Sequence, residues 1–143
     1  MELEGKVWKS KKQWLVEVPS LDVMTQGETK EDALSMIKDA VEELISSYFP
    51  KQAKKNFELS VGDYKKGVIG LSSNDNKLLL SFVLRRQREK SQISVREAAS
   101  HLGSTSPNSY AQYERGKINI SLDKFELLLR AANPHRHSLL RVI

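Results

Sequence analysis

Residues 94–133, SVREAASHLGSTSPNSYAQYERGKINISLDKFELLLRAAN, decide the fold of the second half of the chain. Near the centre of this stretch, Ser106 can cap a helix, and Pro107 suits the first helical position because the N–H there has no intrahelical partner. Gly116 can adopt the left-handed conformation that ends a helix. The sequence therefore predicts a helix from Pro107 to Arg115.

The predicted helix has two unlike faces. Tyr110 and Tyr113 share one side, and a mostly polar set lies about half a turn away from them. We expect the tyrosine side to pack on a core and the other side to face a partner. The outward set comprises Asn108, Ala111, Gln112 and Arg115.

A second helix is predicted just before it, from Val95 to Leu102, with Ser94 as its cap and Gly103 at the following turn. Two short helices joined by a tight turn resemble the helix-turn-helix of phage repressors (Xre/Cro type), whose second helix enters the major groove of DNA. Val95 is a departure, because such proteins often place a glutamine there against a phosphate. The resemblance rests on Ala98 and Ala99, on Gly103, and on the ending Glu114, Arg115 and Gly116.

The composition favours a reducing compartment. The chain has 143 residues and no cysteine, so it has neither disulfides nor a thiolate metal site. No apolar run is long enough to cross a bilayer, and the first residues, MELEGK, lack the apolar core of a signal peptide. We therefore expect a soluble, cytoplasmic protein without a membrane partner.

Charge is distributed unevenly along the chain. Residues 1–76 contain 11 Lys/Arg and 13 Asp/Glu, for a net charge of −2, whereas residues 77–143 contain 12 and 5, for +7. A basic half attracts a polyanion by counterion release, which favours nucleic acid as its partner. The alternative is a solvated surface that happens to be basic.

The first half begins with three predicted strands. Glu2–Lys9 and Gln13–Val18 are expected to form a hairpin, because the second run alternates with period two and turn residues separate the two. Pro19 ends the second strand, since it cannot donate to a ladder. A third strand, Asp22–Gln26, stops at Gly27.

The clearest helix of the chain follows these strands. Thr29 caps it, Asp32 completes a capping box, and Pro50 closes it. Its unbroken apolar stripe predicts packing on the sheet, which Phe57–Val61 completes. The expected architecture of the first half is therefore two layers in the order β-β-β-α-β.

Residues 63–77 are rich in Gly, Ser, Asn and Lys and are interpreted as a linker, to which Val68, Ile69 and Leu71 could add a short strand. Further helices are predicted from Leu78 to about Lys90 and after the cap Ser121. The predicted fold class is α+β. It comprises a β-β-β-α-β domain over 1–62, the linker, an all-α helix-turn-helix domain over 78–134, and a tail over 135–143.

A capped helix on a small strand layer, followed by a repressor-type helix bundle, resembles the HicB antitoxins over almost the whole chain. In the first half the resemblance rests on residues 15–45, LVEVPSLDVMTQGETKEDALSMIKDAVEELI, with a strand ending at Pro19 and a corner at residues 25–27. It implies a type II toxin–antitoxin system, in which the chain binds and neutralises HicA, a small ribonuclease that cleaves mRNA with a histidine. It also implies that the first domain is similar to part of a ribonuclease H fold.

Catalysis by the chain itself is not expected. Ribonuclease H chemistry needs a cluster of carboxylates that holds divalent metal ions, and the strand region offers Glu17 and Asp22 and little else. His101, His135 and His137 lack the pattern of a metal-ligand set. We therefore expect no enzyme activity, no cofactor and no metal.

The resemblance further implies that the second domain binds the operator of its own operon as a dimer and represses it. Four side chains are expected to approach base edges, since Asn and Gln can pair with adenine and Arg with guanine. These are Asn108, Ser109, Gln112 and Arg115; for the first two the alternative is solvation of a helix end. Three cations are expected to meet phosphates: Lys117, Arg96 and Lys124.

Other residues have expected structural or partner roles. Glu114 is expected to pair with Arg88, as the corresponding residues do in phage repressors. Trp8 and Trp14 could anchor the toxin, because aromatic residues concentrate in interface hot spots, or pack in the core. The tail 138–143, SLLRVI, has strand character, and we expect it to pair across a homodimer or higher oligomer.

Two other functions fit parts of the sequence. A stand-alone phage-type repressor, whose first domain senses a ligand or a protein, would share every DNA-binding feature. An RNA-processing enzyme would have to cleave RNA with the help of a metal ion.

Overall fold

One antiparallel sheet and six helices make up the computed structural model, which describes all 143 residues. The strands are β1 (Leu3–Ser10), β2 (Gln13–Val18), β3 (Val23–Gly27), β4 (Leu59–Asp63) and β5 (Val68–Ser73), in the sheet order β3-β2-β1-β5-β4. The helices are α1 (Lys30–Tyr48), α2 (Pro50–Ala53), α3 (Asn76–Lys90), α4 (Val95–His101), α5 (Asn108–Ala111) and α6 (Leu122–Ala132). The α+β class is confirmed.

The start of α1 shows why the first half folds as its sequence predicts. Thr29 Oγ1 accepts a hydrogen bond from the Asp32 N–H at 3.0 Å, which confirms the predicted cap. Asp32 Oδ2 accepts from the Glu28 N–H at 3.0 Å, one residue before the cap, so the reciprocal bond of the predicted capping box is displaced by one residue. Gly27 ends β3 where the helix passes close by. A Cβ atom at Gly27 would lie 2.4 Å from the Ala33 nitrogen, so only glycine fits there.

The predicted linker 63–77 differs most from the structure. Val68–Ser73 forms β5, an inner strand that pairs with β1 on one side and β4 on the other. Ile69 and Leu71 are fully buried on the helix side of the sheet. Gly70 and Ser72 alternate with them, and this small-residue composition of the other face is what made the strand look like a linker.

The sheet has one face covered by helices and one without. Helix α1 lays Ala33, Ile37, Val41 and Ile45 on the covered face, and all four are fully buried. On the other face Trp8 lies opposite Leu15, and Met24 is 56% exposed. The open face thus presents apolar side chains that no helix covers.

Helix α3 belongs to two hydrophobic cores. Leu78, Phe82 and Val83 join the core of the sheet and α1, whereas Leu84 joins the core of the last three helices. The Phe82 ring meets the Tyr48 ring edge-on, with 5.4 Å between centroids. The two halves of the chain therefore share a helix.

Hydrogen bonds from α3 to the segment before β3 strengthen this connection. Arg86 donates to the carbonyl oxygens of Leu21 at 2.8 Å and Asp22 at 3.0 Å. Buried Gln87 donates to the Ser20 carbonyl at 2.7 Å and accepts from Asn133 Nδ2, just beyond α6, at 2.9 Å. These contacts fix the last helix relative to the sheet.

The tail after Pro134 contains no strand within the single chain. Arg141 donates to Glu4 of β1 at 2.7 Å, while Leu139, Leu140 and Val142 are each more than four-fifths exposed. Strand pairing across a dimer stays a prediction. No helix of the chain combines the length and apolar character needed to span a bilayer.

Replacing Phe82 with Ala should destabilise both halves together. The change removes the aromatic contact between α3 and α1 and should lower the free energy of unfolding by about 3–5 kcal/mol. In urea, fluorescence of the two tryptophans reports the sheet, and far-ultraviolet circular dichroism reports all helices. The two signals should give one coincident transition in wild type and variant.

The matched control is Met24→Ala on the open face, which should change the free energy of unfolding by less than about 0.5 kcal/mol. Separate transitions for the two signals would contradict a shared core.

Candidate nucleic-acid interface

Helices α4 and α5 form the predicted helix-turn-helix. Ser94 Oγ accepts from the Glu97 N–H at 3.1 Å, which confirms the predicted cap of α4. Gly103 follows α4 with φ of 78°, a left-handed conformation that glycine adopts without strain. A 3-10 turn, Gln112–Glu114, follows α5, and the helical segment ends before Gly116, whose φ is 73°. The predicted single helix is thus an α-turn followed by a 3-10 turn.

The predicted side-chain cap at Ser106 is wrong. Its hydroxyl makes no cap hydrogen bond, and Pro107 occupies the N-cap position. The Ser106 carbonyl instead accepts from the Ser109 N–H at 3.1 Å and from the Ser109 hydroxyl at 2.8 Å. The helix therefore begins where expected, but the carbonyl of Ser106 and the side chain of Ser109 hold its first turn.

The tyrosine side of α5 packs on a core, as predicted. Tyr110 is fully buried beside Ala98, Ala99 and Leu128, and Tyr113 packs at the edge of the same cluster. Burial raises the pKa of Tyr110 well above its usual value, so its hydroxyl stays neutral. This anchoring leaves the opposite side of α5 to face outward.

A largely buried ion pair fixes the end of this element to α3. Arg88 Nε and Nη2 donate to the two carboxylate oxygens of Glu114 at 2.6 and 3.0 Å, which confirms the predicted pair. Their side chains are only 14% and 9% exposed. The hydrogen bond to Glu114 raises the pKa of Arg88 despite burial, so the guanidinium stays charged.

Ser81 is a structural contact that sequence reasoning missed. It is buried in α3, donates to the Tyr113 carbonyl at 2.7 Å and accepts from the Gly116 N–H at 3.1 Å. A Cβ atom at Gly116 would lie 2.8 Å from Leu78 Cδ1, so the chain passes tightly against α3 there. A lone serine within the run LLLSFVL, residues 78–84, was the available signal.

The four residues predicted to approach base edges lie on and just after α5. Arg115 Nη2 donates to Asn108 Oδ1 at 3.1 Å, and both side chains are exposed. Gln112 is half-buried at helical spacing from Asn108. The structure thus groups Asn108, Gln112 and Arg115, while the Ser109 hydroxyl donates within its own turn.

The three predicted phosphate contacts occupy different surroundings. Arg96 is exposed in the first turn of α4, and Lys117 is exposed just after Gly116. Lys124 is half-buried on α6, with its Nζ atom 5.2 Å from the centre of the Tyr113 ring. Lys124 therefore already has an aromatic partner in the free chain.

The two tryptophans proposed as toxin contacts lie on opposite sheet faces. Trp14 pairs with Lys9 and packs against the core on the helix-covered face. Trp8 pairs with Leu15 on the open face. Of the histidines, His101 places Nδ1 2.9 Å from the Ala131 carbonyl oxygen. No group of three or more His, Cys, Asp or Glu side chains could hold a metal ion.

The tight turn, the buried tyrosine side and the outward polar side define a helix-turn-helix domain, the class of module with which transcriptional regulators bind DNA. Residues 84–133 match a family model described as Helix-turn-helix. That match covers the second part of α3 through Asn133. A comparison with curated proteins finds no match. The chain is thus a DNA-binding regulator whose recognition module lies in its second half.

Replacing only one partner of the Arg88–Glu114 pair should destabilise the fold more than replacing both partners with apolar residues. Arg88→Ala or Glu114→Ala should each lower the free energy of unfolding by about 3 kcal/mol, because each leaves a buried charge unpaired. The double replacement Arg88→Met, Glu114→Leu should lower it by less than either single change. Urea unfolding of all three variants measures this.

The exposed pair of Arg130 and Glu126, 67% and 59% exposed, provides the control. Arg130→Ala should change stability by at most about 0.5 kcal/mol. If Arg88→Ala were as stable as wild type, the Arg88–Glu114 pair would not be needed to hold the two helical elements together.

Proposed function

We propose that the chain is a type II antitoxin that represses its own operon. Its second half binds operator DNA, and its first half binds and neutralises a small mRNA-cleaving toxin of the HicA type. The helix-turn-helix match supports the DNA half of the proposal. The toxin half is supported by the resemblance of residues 15–45 to HicB antitoxins, together with the strand and helix order of the first half.

The main observation in support of DNA binding is that the helix with the outward polar side is held in place by contacts on its opposite, buried side. Tyr110 is buried beneath it, and Glu114 and Ser81 tie its end to α3. A side chain on such a support loses little conformational freedom when it meets a base edge. The proposed base contacts are Asn108, Ser109, Gln112 and Arg115, and the proposed phosphate contacts are Lys117, Arg96 and Lys124.

Arg115 and Asn108 act together in this proposal. Their hydrogen bond places a guanidinium and an amide on one surface, so they would enter the same groove. Arg115 can pair with guanine O6 and N7, and Asn108 can pair with adenine N6 and N7. Their neighbour Gln112 offers a second amide for the same kind of contact.

For the toxin, Trp8 is the better candidate of the two tryptophans. It lies on the open sheet face opposite Leu15, whereas Trp14 already packs against the core. A partly exposed aromatic side chain is a typical anchor of protein-binding hot spots. The proposed dimer would use the apolar tail, whose exposed Leu139, Leu140 and Val142 lack a partner within the chain.

Gln112→Ala and Arg115→Ala should weaken binding to duplex DNA from the chain's own promoter. Each change removes a proposed base contact and should lower affinity by about 1–3 kcal/mol, or roughly 5- to 150-fold. Binding to a scrambled duplex should change much less. Gel shifts at fixed salt measure both.

Lys12→Ala, in the turn between β1 and β2, is the matched control and should bind like wild type. We call residues 108–115, that is α5 and the 3-10 turn after it, the reading helix. If Gln112→Ala and Arg115→Ala both kept wild-type affinity for the promoter, the assignment of the reading helix to base readout would fail.

Co-expression with the neighbouring small open reading frame should yield a stable complex without RNA-cleaving activity. Trp8→Ala should weaken that complex, and Met36→Ala on the exposed side of α1 should not. Pull-down and an RNA cleavage assay on each component measure the outcome. A chain that binds its promoter but captures no ribonuclease would be the stand-alone repressor instead.

A further inference from the structure

A polar cleft of about 440 Å³ lies where the two halves meet. Its walls come from the end of α2 and the residues after it, the start of α3, and the loop after Gly116. Amide and lysine side chains dominate the walls: Gln52, Lys55, Asn56, Asn76, Lys77 and Asn119. Asp75 is the one acidic residue there, and its carboxylate is occupied as the cap of α3, accepting from the Leu78 N–H at 3.1 Å.

The cleft adjoins the carboxyl end of the reading helix. Gln52 Nε2 donates to the Arg115 carbonyl at 2.8 Å, so the first half touches the end of the reading helix directly. Arg115 directs its guanidinium to Asn108 on the outward side. Lys117 and Asn119 then lead from that end of the helix to the cleft. The cleft therefore borders the end of the reading helix and the loop that follows it.

The lysines of the cleft are free to bind an external anion. Residues 50–57, PKQAKKNF, contain three lysines and no acidic residue, although the first 76 residues are net negative. Neither Lys55 nor Lys77 takes part in any of the seven ion pairs of the chain. By contrast, the arginines in the middle of α3 are engaged internally, as Arg86 and Arg88 show.

The donor set matches phosphate better than it matches bases. Lysine ammonium groups are typical partners of phosphate oxygens, and contacts to phosphate carry no sequence information. Of the wall amides, Gln52 Nε2 already donates to the Arg115 carbonyl and Asn74 Nδ2 to the Asn56 carbonyl. Phe57, the only aromatic residue in the walls, packs against the core of the sheet and offers no stacking platform. The cleft is therefore suited to a nucleic-acid backbone.

We infer that the first half of the chain takes part in DNA binding. Lys55 and Lys77 of the cleft hold backbone phosphates of the operator that flank the bases read by α5. This inference rests on the proposed DNA-binding function and extends the footprint beyond residues 84–133. The N-terminal half then serves two partners, with the open sheet face on one side and the cleft at the junction with the helix-turn-helix.

The test is the salt dependence of affinity for the double variant Lys55→Gln, Lys77→Gln in the full chain. Each lost phosphate contact should reduce the slope of log affinity against log salt by about 0.9, so the slope should fall by about 1.8. Promoter and scrambled duplexes should lose affinity by the same factor. The ratio between them should stay that of wild type, because no base contact is removed.

The matched control is Lys9→Gln, Lys12→Gln, which changes the net charge equally at the β1–β2 turn and at the end of β1 that leads into it. That turn lies near the start of α1, since its flanking residue Trp14 pairs with Gly27, which packs against Ala33. The α2 turn follows the other end of α1, about 28 Å away along 19 residues. The control should keep the wild-type slope.

An unchanged slope in the cleft variant would overturn the inference, as would an equal fall in cleft variant and control, which would indicate a general charge effect. In both cases the proposed function would still stand, provided that the wild-type chain binds the promoter and that the Gln112→Ala and Arg115→Ala variants lose this binding. If the wild-type chain bound no promoter duplex even at low salt, the proposed DNA-binding function and the inference about the cleft would both fail. Thermal unfolding of each variant verifies that it is folded.

Discussion

The burial of residues Leu78–Leu84, in the first half of α3, is the constraint on which the rest of the structure depends. Every residue from Leu78 to Leu84 is buried, so the helix is enclosed by the sheet and α1 on one side and by the later helices on the other. A helical segment with apolar residues on every side, such as Leu78–Leu84, is stable only in such a position. Separating the two halves would expose this surface to water.

The polar groups of α3 turn this packing into a defined geometry. Ser81 and Arg88 bind the end of the reading helix, and Gln87 joins the residue after α6 to the turn before β3. Buried polar groups must find partners, so few relative positions of the elements satisfy them all. The outward side of α5 is consequently placed with respect to the sheet as well as to its own domain.

The sequence predicted elements with strong local signals and missed those whose signal was weak. The apolar stripe of α1 and its Thr29 cap were readable, as was the Arg88–Glu114 pair through the resemblance to phage repressors. Strand β5 was read as a linker because Gly70 and Ser72 interrupt its apolar residues. The junction cleft could not be seen, because Lys55, Lys77 and Asn119 are distant in sequence and only tertiary packing brings them together.

Net charge proved an incomplete guide to the candidate interface. The +7 of the second half includes Arg86 and Arg88, which are bound to their own chain. Conversely, the net negative first half carries an uncompensated lysine segment beside the reading helix. The distribution of unpaired cations, and not their sum, indicates where a polyanion can bind.

Native-state hydrogen exchange of the full chain tests most directly whether α3 unites the two halves. Amides in the inner strands β1 and β5, in α3 and in α6 should all exchange through openings with one free energy, equal to that of global unfolding in urea. If α6 opened at a much lower free energy while β1, β5 and α3 stayed protected, the core of the last helices, which includes Tyr110 of the reading helix, would open independently of α3 and the sheet. The placement of the reading helix relative to the first half would then carry no functional meaning.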